Sequence, residues 1–152
     1  MGYDIIKQKS KGERKWGMII ERKININFFI KDGVFDKRAI SKGVYSIRLR
    51  NRDNDKEIKL YVGQSVWMIV RCAGHLHRIF TEPEYMGLTY DDLDRENFEL
   101  VFKVEEAVEQ RDALRDRELH YIHELNPLTQ SNTSDKQLNN KFEIVQDAIK
   151  EI

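Results

Sequence analysis

Arg71 and His75 stand four residues apart, which puts both on one face of a helix. A guanidinium at Arg71 can grip a phosphate through charge-assisted hydrogen bonds and stabilise negative charge as it grows. His75, one turn further on, can hydrogen-bond a phosphate oxygen or help orient a nucleophile and its water. The plainer alternative for Arg71 is an exposed arginine beside the apolar stripe of its helix. His77 is two residues off that face and ranks lower. Glu118 is the most telling position on physical grounds. The apolar stripe Leu114, Tyr121, Ile122 and Leu125 runs along a second helical segment, and Glu118 falls on it. A carboxylate facing a core is costly unless it is paired or binds a cation. Residue chemistry alone favours a pair with an arginine, or a side chain reaching for the stripe's edge. Tyr45 and Tyr61 have an ordinary explanation too, since tyrosine is common on half-buried sheet surface. Cys72 falls near the stripe of the first helix and reads as a small core residue.

These side chains need a scaffold, and the stretch from Gly43 to His75 supplies most of it. Residues 43–47 and 60–63 are short runs of Val, Ile, Leu and Tyr, and residues 51–55 between them are turn formers. The pattern predicts a β-hairpin. Past Gly63 the period changes: Val66, Ile69, Val70, Ala73 and Leu76 recur at helical spacing, with Ser65 at the expected N-cap. Further on, residues 81–88 read as a loop around Pro83 and Gly87. Thr89 caps a short helix over 90–95 with Asp92 in its first turn. Residues 98–104 alternate as a third strand, and a second main helix spans 108–125 and stops at Asn126-Pro127. Ser134 and Gln137 form a capping box for a last helix over 136–152, with Leu138, Phe142, Val145 and Ile149 on one stripe. Residues 16–30 read as one or two added strands, and Gly33 then breaks the chain before the hairpin.

Gly43-Val44-Tyr45 and Tyr61-Val62-Gly63 resemble the two signature tripeptides of GIY-YIG nucleases, with valine for isoleucine in each. Gln64-Ser65 after the second tripeptide, Arg71 eight residues past Gly63, His75, and Glu118 on a later helix followed by Asn126-Pro127 also resemble the family pattern. The resemblance spans roughly residues 41–132. It implies a metal-dependent DNA endonuclease that hydrolyses phosphodiester bonds, with catalytic Tyr45, Tyr61, Arg71, His75 and Glu118. In such a protein Tyr45 takes a proton from the attacking water, provided that Arg71 and a metal favour phenolate, because a phenol is otherwise a poor base at neutral pH. Glu118 then binds Mg²⁺ or Mn²⁺, a hard cation that keeps several waters and takes further oxygens from phosphate. Gly63 and Ser65 become substrate contacts, Gly63 by letting chain and substrate approach closely. The family's late asparagine is matched by Gln130 on offset and by Asn132 on residue type; either amide can hold the site's edge. The rival from another class is a non-catalytic DNA-binding or protein-interaction module on the same scaffold, whose mark would be loss of the arginine, glutamate or tyrosines. None is lost here.

The fold expectation is therefore one α+β domain: a small antiparallel three-stranded sheet, extended by N-terminal strands and flanked by helices. Residues 1–40 are a basic segment packing as strands or an arm, 41–132 the nuclease-like core, and 133–152 a C-terminal helix. A chain of 152 residues with 40% apolar and 34% charged content suits one soluble domain. No apolar run is long enough for a membrane helix, and no signal-peptide pattern opens the chain. One cysteine excludes an internal disulfide and fits a reducing, cytoplasmic setting. Net charge is zero, yet residues 1–78 carry +10 and residues 79–152 carry −10. Such a division fits a one-sided phosphate-binding face, or two halves that neutralise each other within the domain. Lys9 and Lys11 lie in the basic first segment and can follow a DNA backbone, or be merely solvated. Size is compatible with a stand-alone phage- or restriction-type nuclease.

Overall fold

The computed structural model describes residues 2–8, 20–130 and 140–152. Among these residues seven strands run in chain order: β1 (Gly2–Gln8), β2 (Ile20–Phe28), β3 (Ile30–Lys31), β4 (Val34–Phe35), β5 (Gly43–Asn51), β6 (Glu57–Ser65) and β7 (Phe98–Ala107). The α-helices among the described residues are α1 (Met68–Thr81), α2 (Tyr90–Asp94), α3 (Leu114–Leu125) and α4 (Lys141–Ile149). The main sheet has the order β1-β2-β7-β5-β6. All its pairings are antiparallel except β2 with β7, which run parallel. The expected three-stranded core is β6-β5-β7, and the N-terminal segment extends it as strands. The mixed α+β class with helices flanking a mostly antiparallel sheet is thus observed. Lys9, Lys11, Asn132 and the Ser134–Gln137 capping box lie outside the described residues.

Hairpin β5–β6 forms for the reasons its sequence suggests. The Asn51 side chain accepts from the Asp53 amide at 2.9 Å, an Asx-turn, and Asp55 takes the left-handed conformation at φ 60°. Register places Tyr45 opposite Gly63 and Ile47 opposite Tyr61. On one face Tyr45, Ile47 and Leu49 join Leu100, Phe102 and Val104 of β7 and Ile24 and Ile26 of β2 in the main core, which α1 covers with Met68, Cys72 and Ile79. On the other face Val44 and Val62 meet Val108 and Leu114, with Tyr121, Ile122 and Leu125 of α3 packed above. Beside them the face turns polar. Arg48 bonds Ser46, Glu57 and Glu105, and Arg50 pairs with Glu99 at 3.2 Å. Basic residues of the first half therefore spend part of their charge on acids of the second.

Several boundaries differ from expectation. Ser65 is the last residue of β6, and its hydroxyl accepts from the Trp67 amide at 2.9 Å. It does not cap α1; Trp67 holds that position without a side-chain cap. The second main helix starts at Leu114, not 108, because β7 runs on to Ala107 and the Val108 amide still donates to the Lys42 carbonyl at 3.0 Å. The loop at 81–88 contains a 3-10 turn, Pro83–Met86, closed by Gly87 at φ 73°. Helix α4 begins at Lys141; Val145 and Ile149 are buried but Phe142, in its first turn, is 39% exposed, so it leaves the expected stripe. The capping box of Thr89 with Asp92 is present. Asn126 ends α3 in the left-handed conformation. The chain then lies along β6, with the Leu128 and Thr129 amides donating to Lys59 and Leu60 carbonyls at 2.9 Å each. That covers an edge which would otherwise be open to pairing.

Candidate active site

Four elements converge where β5 and β6 meet the face of α1. β5 delivers Tyr45 and β6 delivers Tyr61. The two rings lie 6.3 Å apart between centroids. They fit because residue 63 has no side chain: a Cβ there would stand 2.5 Å from the Tyr45 hydroxyl and 2.8 Å from the Tyr61 ring. Gly63 is buried, and the close approach it permits is filled by the protein's own Tyr45.

Helix α1 sets His75 against both phenols. Its Nε2 lies 2.9 Å from the Tyr45 hydroxyl, and its ring centroid 5.0 Å from that of Tyr61. Its Nδ1 lies 3.0 Å from the hydroxyl of Tyr85, which also donates to the His75 carbonyl at 3.1 Å. Tyr85 comes from the 3-10 turn, with its ring parallel to the imidazole within 2° and the Arg78 guanidinium 4.3 Å from its centroid. Reading the sequence did not single out Tyr85. Its only signal is an aromatic inside a Pro–Gly loop ten residues past His75, and the contact exists because that turn folds back on α1.

Burial governs the electrostatics here. It pushes the pKa of the Tyr45 phenol well above the usual value, with smaller contributions from Cys72 and Tyr61, while Arg71 pulls the other way. Tyr61 is raised by burial and then by the charge of Glu118. His75 is pushed down to about 4, by burial first and then by the charges of Arg71 and Arg78. The imidazole is thus neutral at pH 7, and neither phenol is phenolate. Arg71 does bias Tyr45 toward phenolate, by charge and by a hydrogen bond, but desolvation outweighs it. Burial also raises the thiol of Cys72, which is 0% exposed, so it is a core residue and not a nucleophile.

Arg71 is exposed on the His75 face of α1, and its charge acts on Tyr45, Tyr61 and His75 together. Glu118 of α3 is 8% exposed, and its Oε1 accepts from Arg115 at 2.8 Å, the arginine pair that residue chemistry favoured. Its second oxygen has no hydrogen-bond partner among the described residues. Those residues contain no group of three or more His, Cys, Asp or Glu able to hold a metal ion. A lone carboxylate with a spare oxygen fits a cation that keeps most of its water, such as Mg²⁺, better than Zn²⁺. Of the two amides expected at the site's edge, Gln130 accepts from the Val62 amide through Oε1 at 3.2 Å, holding the chain after α3 against β6, while Asn132 lies outside the described residues. Ser65 is engaged with Trp67, and His77 is exposed, apart from the group.

No protein-family model, no curated protein and no solved structure matches this chain. Among the described residues no helix is long and apolar enough to cross a membrane.

Proposed function

We propose that the chain is a metal-dependent phosphodiester hydrolase that cuts DNA in the manner of the GIY-YIG nucleases its tripeptides resemble. The observation that carries this reading is convergence. Tyr45, Tyr61, Arg71 and His75 come from β5, β6 and α1 and meet in one group, and the charge of Glu118 from α3 reaches Tyr61. A scatter of unrelated tyrosines and charges has no reason to do so.

In this reading the water's proton passes to the Tyr45 oxygen as the Tyr45 proton passes to His75 Nε2. Neither step needs free phenolate, which burial disfavours, and a neutral imidazole is ready to accept. Arg71, exposed beside them, grips the scissile phosphate and stabilises the charge that builds on its oxygens. Glu118 would hold Mg²⁺ through its second oxygen, and the cation would supply positive charge against the phosphate and the leaving oxygen. Tyr45 is 1% exposed, so its hydroxyl meets water only when the side chains around it move.

Supercoiled plasmid incubated with and without Mg²⁺ tests the activity. Glu118→Gln keeps the shape of the side chain and removes its charge, and is expected to lower cleavage at least ~100-fold. Tyr45→Phe keeps the ring, and is expected to lower single-turnover cleavage ~100-fold while DNA affinity in Ca²⁺ stays nearly unchanged. Loss in Tyr61→Phe with full activity in Tyr45→Phe moves the proton transfer to Tyr61. DNA binding by wild type with no cleavage in Mg²⁺ or Mn²⁺ favours a non-catalytic DNA-binding module.

A further inference from the structure

We infer that Tyr85 is a positioning residue: it holds His75 in the tautomer that carries its proton on Nδ1, leaving Nε2 as an acceptor facing the Tyr45 hydroxyl. The role in cleavage rests on the nuclease reading, but the tautomer does not.

The argument counts protons. The Tyr85 hydroxyl has one hydrogen, and the His75 carbonyl, 3.1 Å away, is an acceptor that can offer nothing in return. With its hydrogen on the carbonyl, the Tyr85 oxygen meets Nδ1 at 3.0 Å as an acceptor, which assigns the donor role to Nδ1. In a neutral imidazole the other nitrogen is then bare. Nε2 accepts from Tyr45 at 2.9 Å, and the chain of bonds runs in one direction: Tyr45 hydroxyl to Nε2, Nδ1–H to Tyr85 oxygen, Tyr85 hydrogen to the backbone carbonyl of His75. The opposite tautomer places two donors, Nε2–H and the Tyr45 hydroxyl, against each other unless the phenol turns its hydrogen away. It also leaves a bare Nδ1 competing with the carbonyl for the Tyr85 hydrogen.

The arrangement is rigid at its far end. Tyr85 sits in the Pro83–Met86 turn, where the Tyr85 amide donates to the Glu82 carbonyl at 3.1 Å. Arg78, in the last turn of α1, lies against its ring. The carbonyl that takes the Tyr85 hydrogen belongs to His75 itself, so residue and restraint move together. When His75 takes the Tyr45 proton it becomes imidazolium, and Nδ1–H keeps the same acceptor. The proton transfer then needs no rearrangement around the ring.

The test reads the tautomer directly. Long-range ¹H–¹⁵N spectra of ¹⁵N-histidine-labelled protein at pH 7 distinguish a protonated Nδ1 from a protonated Nε2, and His75 is assigned among the four histidines by its absence from the His75→Asn spectrum. Wild type is expected to show the Nδ1–H form. Tyr85→Phe keeps the ring over Arg78 and removes the acceptor, and is expected to shift His75 toward the Nε2–H form. In the cleavage assay the same variant should lose about 10- to 100-fold in single-turnover rate with unchanged DNA affinity in Ca²⁺. An Nε2–H wild type overturns the inference, whatever the variant does. So does a folded Tyr85→Phe that keeps Nδ1–H. If the tautomer behaves as expected but wild type cuts no DNA, the nuclease reading fails and the positioning of His75 stands.

Discussion

A histidine kept neutral by burial makes the folded protein sensitive to acid. His75 has its pKa lowered to about 4 from an ordinary 6.5, so between those values the unfolded chain binds the proton and the folded chain resists it. The contribution is fully present above pH 6.5 and is lost as pH falls toward 4. The full shift is worth about 3 kcal/mol, and solvent screening of the partly exposed ring reduces this to about 1–2 kcal/mol. Denaturant unfolding of wild type and His75→Asn at pH 7.5, 5.5 and 4.5 isolates it. Wild type is expected to lose its advantage over the variant across that window. A stability difference that stays constant from pH 7.5 to 4.5 would mean that His75 titrates normally. The same neutrality matters for chemistry, since a protonated imidazole has no lone pair with which to accept from Tyr45.

At the scale of elements, the site depends on how tightly β5 and β6 hold their cross-strand pair. Gly63→Ala drives a methyl group into the Tyr45 hydroxyl, so the ring must leave its place or the strands must part. The expected loss is about 1–3 kcal/mol of stability, together with loss of the Tyr45–His75 bond. A Tyr45→Leu background, where the ring is gone, is expected to soften the penalty, giving a clear coupling in a double-mutant cycle. Additive effects would place the cost of alanine elsewhere. This hairpin was legible beforehand because its determinants are local: Asn51 and Asp55 make the turn, and Val, Ile and Tyr flank it. Helical spacing likewise revealed that Arg71 and His75 share a face, and Glu118 announced itself by standing on an apolar stripe. Other features were hidden because they depend on neighbours distant in sequence. β7 outlasts its alternating pattern because Val108 still bonds Lys42. Ser65 looked like a cap only while the end of β6 was unknown. Tyr85 reaches His75 through a 3-10 turn whose closure depends on Gly87, where a Cβ would strike Val145 of α4.

For the whole molecule, the division into a basic first half and an acidic second half cannot be taken at face value as a DNA-binding surface. Arg48 and Arg50 are both first-half cations, and both are committed to acids of β7, Glu105 and Glu99. Buried pairs of this kind neutralise charge within the sheet and offer little to a phosphate outside it. Arg71 is different, standing exposed at the site. What further attraction for DNA the first half provides must come from cations not committed in this way, and Lys9 and Lys11, in the basic first segment of the sequence, are the pair to test. Each lysine that meets a phosphate on duplex DNA contributes about 0.9 to the slope of log affinity against log salt. Lys9→Glu with Lys11→Glu is therefore expected to weaken binding and to make that slope shallower by about 2. Binding is measured by titration in Ca²⁺ from low to moderate salt, beside a control variant of equal charge change in the second half, Arg111→Glu with Lys150→Glu. If the lysines track a backbone, only the first variant changes the slope by that amount. Equal changes in both would mean that overall charge, not a phosphate-tracking segment, governs association, and an unchanged slope in the first would leave both lysines merely solvated.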